Sequence, residues 1–275
     1  MKKFRKVMAA AIAMLTLSTA AAVTGTVDWF TSSNVVTASG MSIEAEAEQG
    51  ILISNEDATK TWAESAEASH DGGTAKFIPT STADTVTWYH ANAAEYDSHV
   101  HTGEYTSYTG NAISNNDGVY YVSLNNVNKN IYLKNDFYVK SSTPGNKTGE
   151  TLYVNRVTGS LKAGGTAASG ELDKALRFVV VYDSAVLVYA PFENDQELAA
   201  YTVNGTTSIT PLNEDNVELK TGVTIPGSET ADASTLKIST FVYFEGEDVH
   251  CKSSNIKATL DRLAIEVKFG TEELH

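Results

Sequence analysis

The sequence predicts an all-β fold, a jelly-roll-like antiparallel β-sandwich with long loop insertions, on three observations. Beyond the amino-terminal segment, apolar side chains recur with period two and helical periodicity is scarce. The alternating stretches are rich in Val, Ile, Tyr and Thr, which suit a pleated, half-buried surface. Turn chemistry separates them, at Asn116-Asp117-Gly118, Pro144-Gly145-Asn146, Gly164-Gly165, Asn204-Gly205 and Pro226-Gly227.

In chain order, the first alternating segment is Ser42–Ala47, with Ile43, Ala45 and Ala47 set against Glu44, Glu46 and Glu48. Further strands are expected over Ile51–Ser54, Thr85–Ala91, Val119–Leu124, Ile131–Lys140 and Thr151–Val157. Short helices are expected over Asp57–Ala66 and Ser253–Leu260, and the Gly/Ala/Ser-rich stretch Gly159–Gly170 reads as a flexible surface loop. ALRFVVVYDSAVLVYAP, residues 175–191, is apolar on both faces around Asp183-Ser184, which predicts a central hairpin of a two-layer fold. TLKISTFVYFEG puts Ile238, Val242 and Phe244 on one face with Thr240 between them. The clearest strand comes last: in DRLAIEVKFG, Leu263, Ile265, Val267 and Phe269 point one way and Arg262, Ala264, Glu266 and Lys268 the other.

The amino terminus reads differently. MKKFRK is followed by an Ala-rich apolar run, Val7 to Val23, with Ala20 and Ala22 in an A-x-A arrangement. That is the pattern of a cleaved secretory signal over residues 1–22, the alternative being an uncleaved anchor. The division that follows is a signal at 1–22, an arm at 23–40 and a sandwich domain at 41–275, with no part of the mature chain in a membrane. The chain has 20 basic and 34 acidic residues; removing Lys2, Lys3, Arg5 and Lys6 takes the formal charge from −14 to −18. Such a surface repels phosphate backbones, so nucleic acid is not an expected partner. Cys251 is the single cysteine of the chain, so no internal disulfide framework is possible.

Catalytic grammar is scarce. H-E-x-x-H, G-x-S-x-G, the P-loop and G-x-G-x-x-G do not occur. Cys251 follows His250, but neighbours on a strand face opposite ways, so Cys251 reads as a buried structural thiol. His99 and His101, two apart in DSHVHTGEY, are weak candidates for a metal site that His90 or a nearby carboxylate would complete; without a third ligand fixed, neither a metal nor a cofactor is expected. Glu44, Glu46 and Glu48 share a strand face, and Glu245, Glu247 and Asp248 form a second acidic group. Neither shows the converging oxygens of a calcium loop, so both read as solvated acidic faces.

One stretch stands apart. TGTVDWFTSSNVVTASG, residues 24–40, pairs Trp29 with Phe30 and adds Val27, Val35 and Val36 before Ser39-Gly40 and the strand Met41–Ala47. With its signal-like start, Gly25-Thr26, Phe30 and Ser39-Gly40, it resembles the TasA/camelysin family, secreted bacterial proteins whose members include the fibre subunit of biofilm matrix. Ser32 stands where that family has Asp, Val36 where Phe is usual, and the spacer between is shorter. The resemblance implies a jelly-roll-like sandwich that polymerises by donor-strand complementation, the arm of one subunit filling a strand-sized gap in the next. Val27, Trp29, Phe30, Val35 and Val36 would then be the self-assembly arm, and Ser39 and Gly40 the turn from arm to strand. Burying Trp29, Phe30, Val35 and Val36 would contribute about 6–12 kcal/mol gross. The other possibility is that the arm pairs within its own subunit as a first strand.

The expected function is a secreted structural subunit of an extracellular filament or biofilm matrix, a homopolymer at the bacterial surface with possible matrix partners, and not an enzyme. The alternative is a cell-surface adhesin or binding module that recognises a glycan or host protein through its Tyr-rich segment, residues 96–108.

Overall fold

Alternation decides which side chains of a strand face inward, and here those faces are brought together from widely separated parts of the chain. The computed structural model describes residues 36–55, 60–70, 75–91, 105–116, 119–124, 127–166, 171–193, 198, 200–203, 206–231, 234–248, 250–251 and 259–274. It opens with β1 (Val36–Ser39), β2 (Met41–Ala47), β3 (Ile51–Ser54), β4 (Ser65–His70) and β5 (Ala75–Phe77). Three short strands, β6 (Ser81–Thr82), β7 (Trp88–Ala91) and β8 (Tyr105–Tyr108), form a small sheet of their own. β9 (Ser114–Asn116) and β10 (Val119–Leu124) lead into the long strands β11 (Val127–Ser141) and β12 (Lys147–Thr166). The hairpin β13 (Leu176–Tyr182) and β14 (Ala185–Tyr189) follows, then the minor pair β15 (Thr202–Val203) and β16 (Thr206–Thr207). β17 (Val217–Ile225), β18 (Leu236–Phe244) and β19 (Thr259–Gly270) come last.

The fold is all-β, with antiparallel sheets packed as a sandwich. Its main sheet runs β14-β13-β18-β11-β5-β1-β19-β12-β17, with β2 alongside β19 and β4 alongside β2, and β3 and β10 alongside β11. One continuous core joins the two halves: Phe178, Ile238 and Val242 from one side meet Ile43, Leu152 and Ile265 from the other. The inward set of the last strand, Leu263, Ile265, Val267 and Phe269, is buried as its alternation requires. Among the described strands, parallel pairing joins β1 and β2 to β19 and β5 to β11 at one position, and isolated parallel bridges join Thr80 to Glu245 and Tyr189 to Leu212.

A second core lies on the outer face of the β13–β18–β11 layer. Trp88 from the small sheet inserts there, against Tyr132, Val179, Phe241 and Tyr243. Its ring stacks on Tyr132 with centroids 4.4 Å apart and meets Tyr243 edge-on at 5.1 Å. This cover explains why residues 175–191 are apolar on both faces. It also corrects their placement: β14 is the edge strand of the main sheet, and the hairpin is covered on both faces without being central.

Other expectations change as well. Ser65–His70, partly inside the expected helix at 57–66, is a strand paired with β2 from Met41↔His70 to Glu46↔Ser65. Ala66 and Ala68 pack against the core, and that tertiary pairing outweighs the helix propensity of Ala and Glu. Residues 253–258 of the second expected helix lie outside the described residues, while Thr259 and Leu260 begin β19. The expected loop at 159–170 is strand as far as Thr166, because β19 supplies its hydrogen-bonding partner. Gly159 packs closely there: a Cβ would stand 2.7 Å from the ring of Phe192, which would have to shift. Residues 85–87 are a bend, and the strand begins at Trp88. There Asp84 accepts hydrogen bonds from the N–H groups of Val86 and Thr87, a local alternative to a ladder.

Candidate assembly site

Of the residues singled out in the sequence for assembly, Val36, Ser39 and Gly40 lie at the start of the sheet. Val27, Trp29, Phe30 and Val35 lie outside the described residues, as do His99 and His101. Val36 and Ser39 bound β1, an inner strand with neighbours on both edges: Thr37, Ala38 and Ser39 pair with Thr259, Leu260 and Asp261 of β19, and Val36, Thr37 and Ala38 with Phe77, Lys76 and Ala75 of β5. Ala38 is buried.

Ser39-Gly40 is a kink rather than a turn. β1 and β2 keep one register along β19, so Val36–Ala47 runs as a single parallel lane interrupted at Gly40. Gly40 has φ +57° and faces Arg262 with φ +56°, so both chains bend at the same level. A Cβ on Gly40 would sit 3.3 Å from Arg262 Cγ, so the position disfavours a side chain on backbone and contact grounds alike. On its far edge the lane is flanked by β5 beside β1 and by β4 beside β2.

The outward face of this region is acidic. Glu44 stands directly between Glu67 of β4 and Glu266 of β19, a row of like charges across three strands. Such neighbours repel, and the row is relieved where Lys162 pairs with Glu67 and where Lys268 stands opposite Glu46.

Away from the lane, charged groups cluster where β13 meets the end of β18. Arg177 is hydrogen-bonded to Asp248, both nearly excluded from solvent. Burial lowers the affinity of Arg177 for its proton, but Asp248, Glu245 and Tyr243 outweigh it and hold the guanidinium charged. Glu245, also buried, is left without a cation of its own; burial pushes its carboxyl up to about 7, against the pull of Arg177, the Ser81 hydroxyl and the Glu247 N–H. His250 Nδ1 lies 2.9 Å from Asp248 Oδ1 and 3.6 Å from Glu193 Oε2. Cys251, beside it, is fully buried in the main core.

Glu193 lines a cleft of about 240 Å³ between Val157–Gly159, Tyr189–Pro191 and Leu212–Asn213. The cleft carries a carboxylate with a histidine behind it, and Cys251 packs as a core side chain. His90, named above as a possible third ligand, is buried with Nε2 2.8 Å from the Tyr108 hydroxyl. Tyr108 is half-buried over the His90 ring, while Tyr120 stacks on Tyr132, so these tyrosines serve packing at least on one face. Among the described residues, no group of three or more His, Cys, Asp or Glu side chains is placed to hold a metal ion, and no helix is long and apolar enough to cross a membrane.

What the sequence did not signal was the parallel partnership of the two ends of the described chain, residues 36–47 with 259–270. Alternation marks both as strands and says nothing of their partners. Comparison with protein-family models, with curated proteins and with solved structures found no match.

Proposed function

We propose that this chain is a secreted structural subunit of an extracellular filament or matrix, joined to its neighbours through the segment that precedes β1. The observation that carries this reading is the position of β1. The residues immediately after Val35 form an inner strand, hydrogen-bonded on both edges and continuous with β2 along β19. Tension applied through residues 24–35 would run along that lane and load its cross-strand hydrogen bonds in shear, many at a time, rather than peel an edge strand bond by bond. An edge position would make a poor anchor for a load-bearing link.

Reach and chemistry support the same reading. Extended at about 3.3 Å per residue, residues 24–35 span roughly 40 Å, enough to cross to an adjacent subunit. Trp29 and Phe30 would supply apolar anchors, and an added strand satisfies backbone groups while its alternate side chains fill pockets. A contact in which one copy's arm enters another's sheet is head-to-tail, so it propagates as a filament when the rotation does not close.

The test compares a chain beginning at Val23 with one beginning at Val36, which keeps β1 intact. Electron microscopy and sedimentation should show filaments of the longer chain, and monomers with an unchanged far-ultraviolet spectrum for the shorter one. Filaments of equal abundance from both chains, or none from the longer, would overturn the proposal.

A further inference from the structure

A bulge in β12 turns one polar side chain into the core. Opposite β19, Val154 pairs with Phe269 and Arg156 with Lys268, so Asn155 is the extra residue between them. Bulges re-aim side chains, and Asn155 is fully buried. Its amide orientation is fixed from the other side. Nδ2 donates to the Asn216 side-chain oxygen at 3.1 Å and to the Glu272 carbonyl at 2.7 Å. Asn216 is itself held by the backbone: its Oδ1 accepts from the Leu274 N–H at 2.8 Å, and its Nδ2 donates to the Leu274 carbonyl at 3.0 Å. Flipping Asn155 would set its oxygen against two acceptors.

Oδ1 of Asn155 therefore points the other way, buried and without a hydrogen-bond partner among the described residues. It points at Gly270. A Cβ built on Gly270 would lie 2.3 Å from Asn155 Oδ1 and 2.2 Å from Oε2 of Glu48. The two acceptor oxygens, one from a carboxylate, thus lie close together on the same side of Gly270, where a side chain would collide with both. Glu48 follows β2 at the turn into β3, and its N–H donates to the Phe269 carbonyl, which fixes its backbone beside β19. Neither converging oxygen can donate to the other while Glu48 is ionised, so the pair calls for a positive or donating occupant.

We propose that Glu48 and Asn155 form a site for a hard, oxygen-seeking cation of the calcium class, seated over Gly270 where β2, β12 and β19 meet. A carboxylate and a side-chain amide oxygen are hard ligands of the kind calcium takes, the rest of its six to eight oxygens coming from water or backbone. With few protein ligands, the affinity belongs in the weak extracellular range, a Kd of about 10⁻⁴–10⁻³ M. Occupancy would tie three strands and the Asn-clamped turn at Glu272–Leu274 together, so the cation acts as a staple on the fold.

The test is thermal and urea unfolding of the full chain in chelator, in about 10 mM calcium chloride, and in magnesium or sodium chloride at matched ionic strength, with calcium titration calorimetry beside it. Calcium at that level should raise the folded-to-unfolded ratio by roughly 10–100-fold. Glu48→Gln is the decisive variant, because its amide can donate to Asn155 Oδ1. It should stay folded, match or exceed the wild type in chelator, and lose the calcium response. An equal response in Glu48→Gln would overturn the proposal. So would no response in the wild type, which would leave a water bridging the pair. A wild type stabilised only by acid, with Glu48→Gln insensitive, would put a proton there and overturn it as well.

Discussion

Raising the pH through neutrality should weaken this fold, with Glu245 as the cause. Its carboxyl, directly after β18, is fully buried, facing Arg177 of β13, Ser81 of β6, Tyr243 of β18, and Glu247 and Asp248 of the following turn. Arg177 is already matched by Asp248, and so the second carboxylate cannot ionise without an uncompensated buried charge. Burial raises it from 4.5 to about 7, with Arg177 opposing. Between those values the folded protein holds a proton that the unfolded chain has released. The contribution is therefore fully present below about 4.5 and is lost as the pH rises through about 7. At about 1.4 kcal/mol per pH unit, that span sets an upper limit of about 3 kcal/mol.

The assay is urea unfolding by circular dichroism from about pH 5 to about pH 8, on the wild type and Glu245→Gln. Asp84 and Asp136 are held below their ordinary values; burial opposes this, and hydrogen bonds from Thr87 and Val86 to the first, and from Lys237 and Ser239 to the second, outweigh it. Their contributions are lost only at the acid end. Burial raises Asp173, which shifts both proteins alike. The difference between the two proteins isolates Glu245: the variant should gain on the wild type by up to about 3 kcal/mol across that range. Parallel pH profiles for the two would refute the reasoning.

Two further substitutions probe the frame. Gly40→Ala forces a side chain into a left-handed backbone position and against Arg262, and should cost about 1–2 kcal/mol in urea unfolding; no loss would mean that the kink can relax. Trp88→Ala empties the second core and should cost about 3–5 kcal/mol, with loss of the near-ultraviolet signal of the Trp88–Tyr132 stack. A cost below about 1 kcal/mol would show that the small sheet contributes little to the fold.

Strands with one buried face were legible because each carried its own period. DRLAIEVKFG points inward the side chains that its alternation marks, and TLKISTFVYFEG does so with Ile238, Val242 and Phe244, although its other face is covered by the second core at Phe241 and Tyr243. β17 was not anticipated: VELKTGVTI mixes charged and apolar residues around Gly222, and its pairing with β12 shifts register repeatedly. The Glu48–Asn155 pair was legible only in half. Glu48 belonged to an obvious acidic run, whereas nothing local in LYVNRV marks Asn155, and only the bulge turns it toward Gly270.

The sequence by itself determined the fold class and the inward face of most strands, because side-chain alternation is a local property that any pleated strand must obey. It also marked residues 24–36 as too apolar to be an ordinary tail. Tertiary structure alone decided which strands are neighbours. It set β1 and β2 in parallel beside β19, covered the outer face of β13–β18–β11 with Trp88, and made Ser39-Gly40 a kink in a continuous lane. Partner choice depends on how distant apolar faces fill one core, and no local pattern encodes that sum.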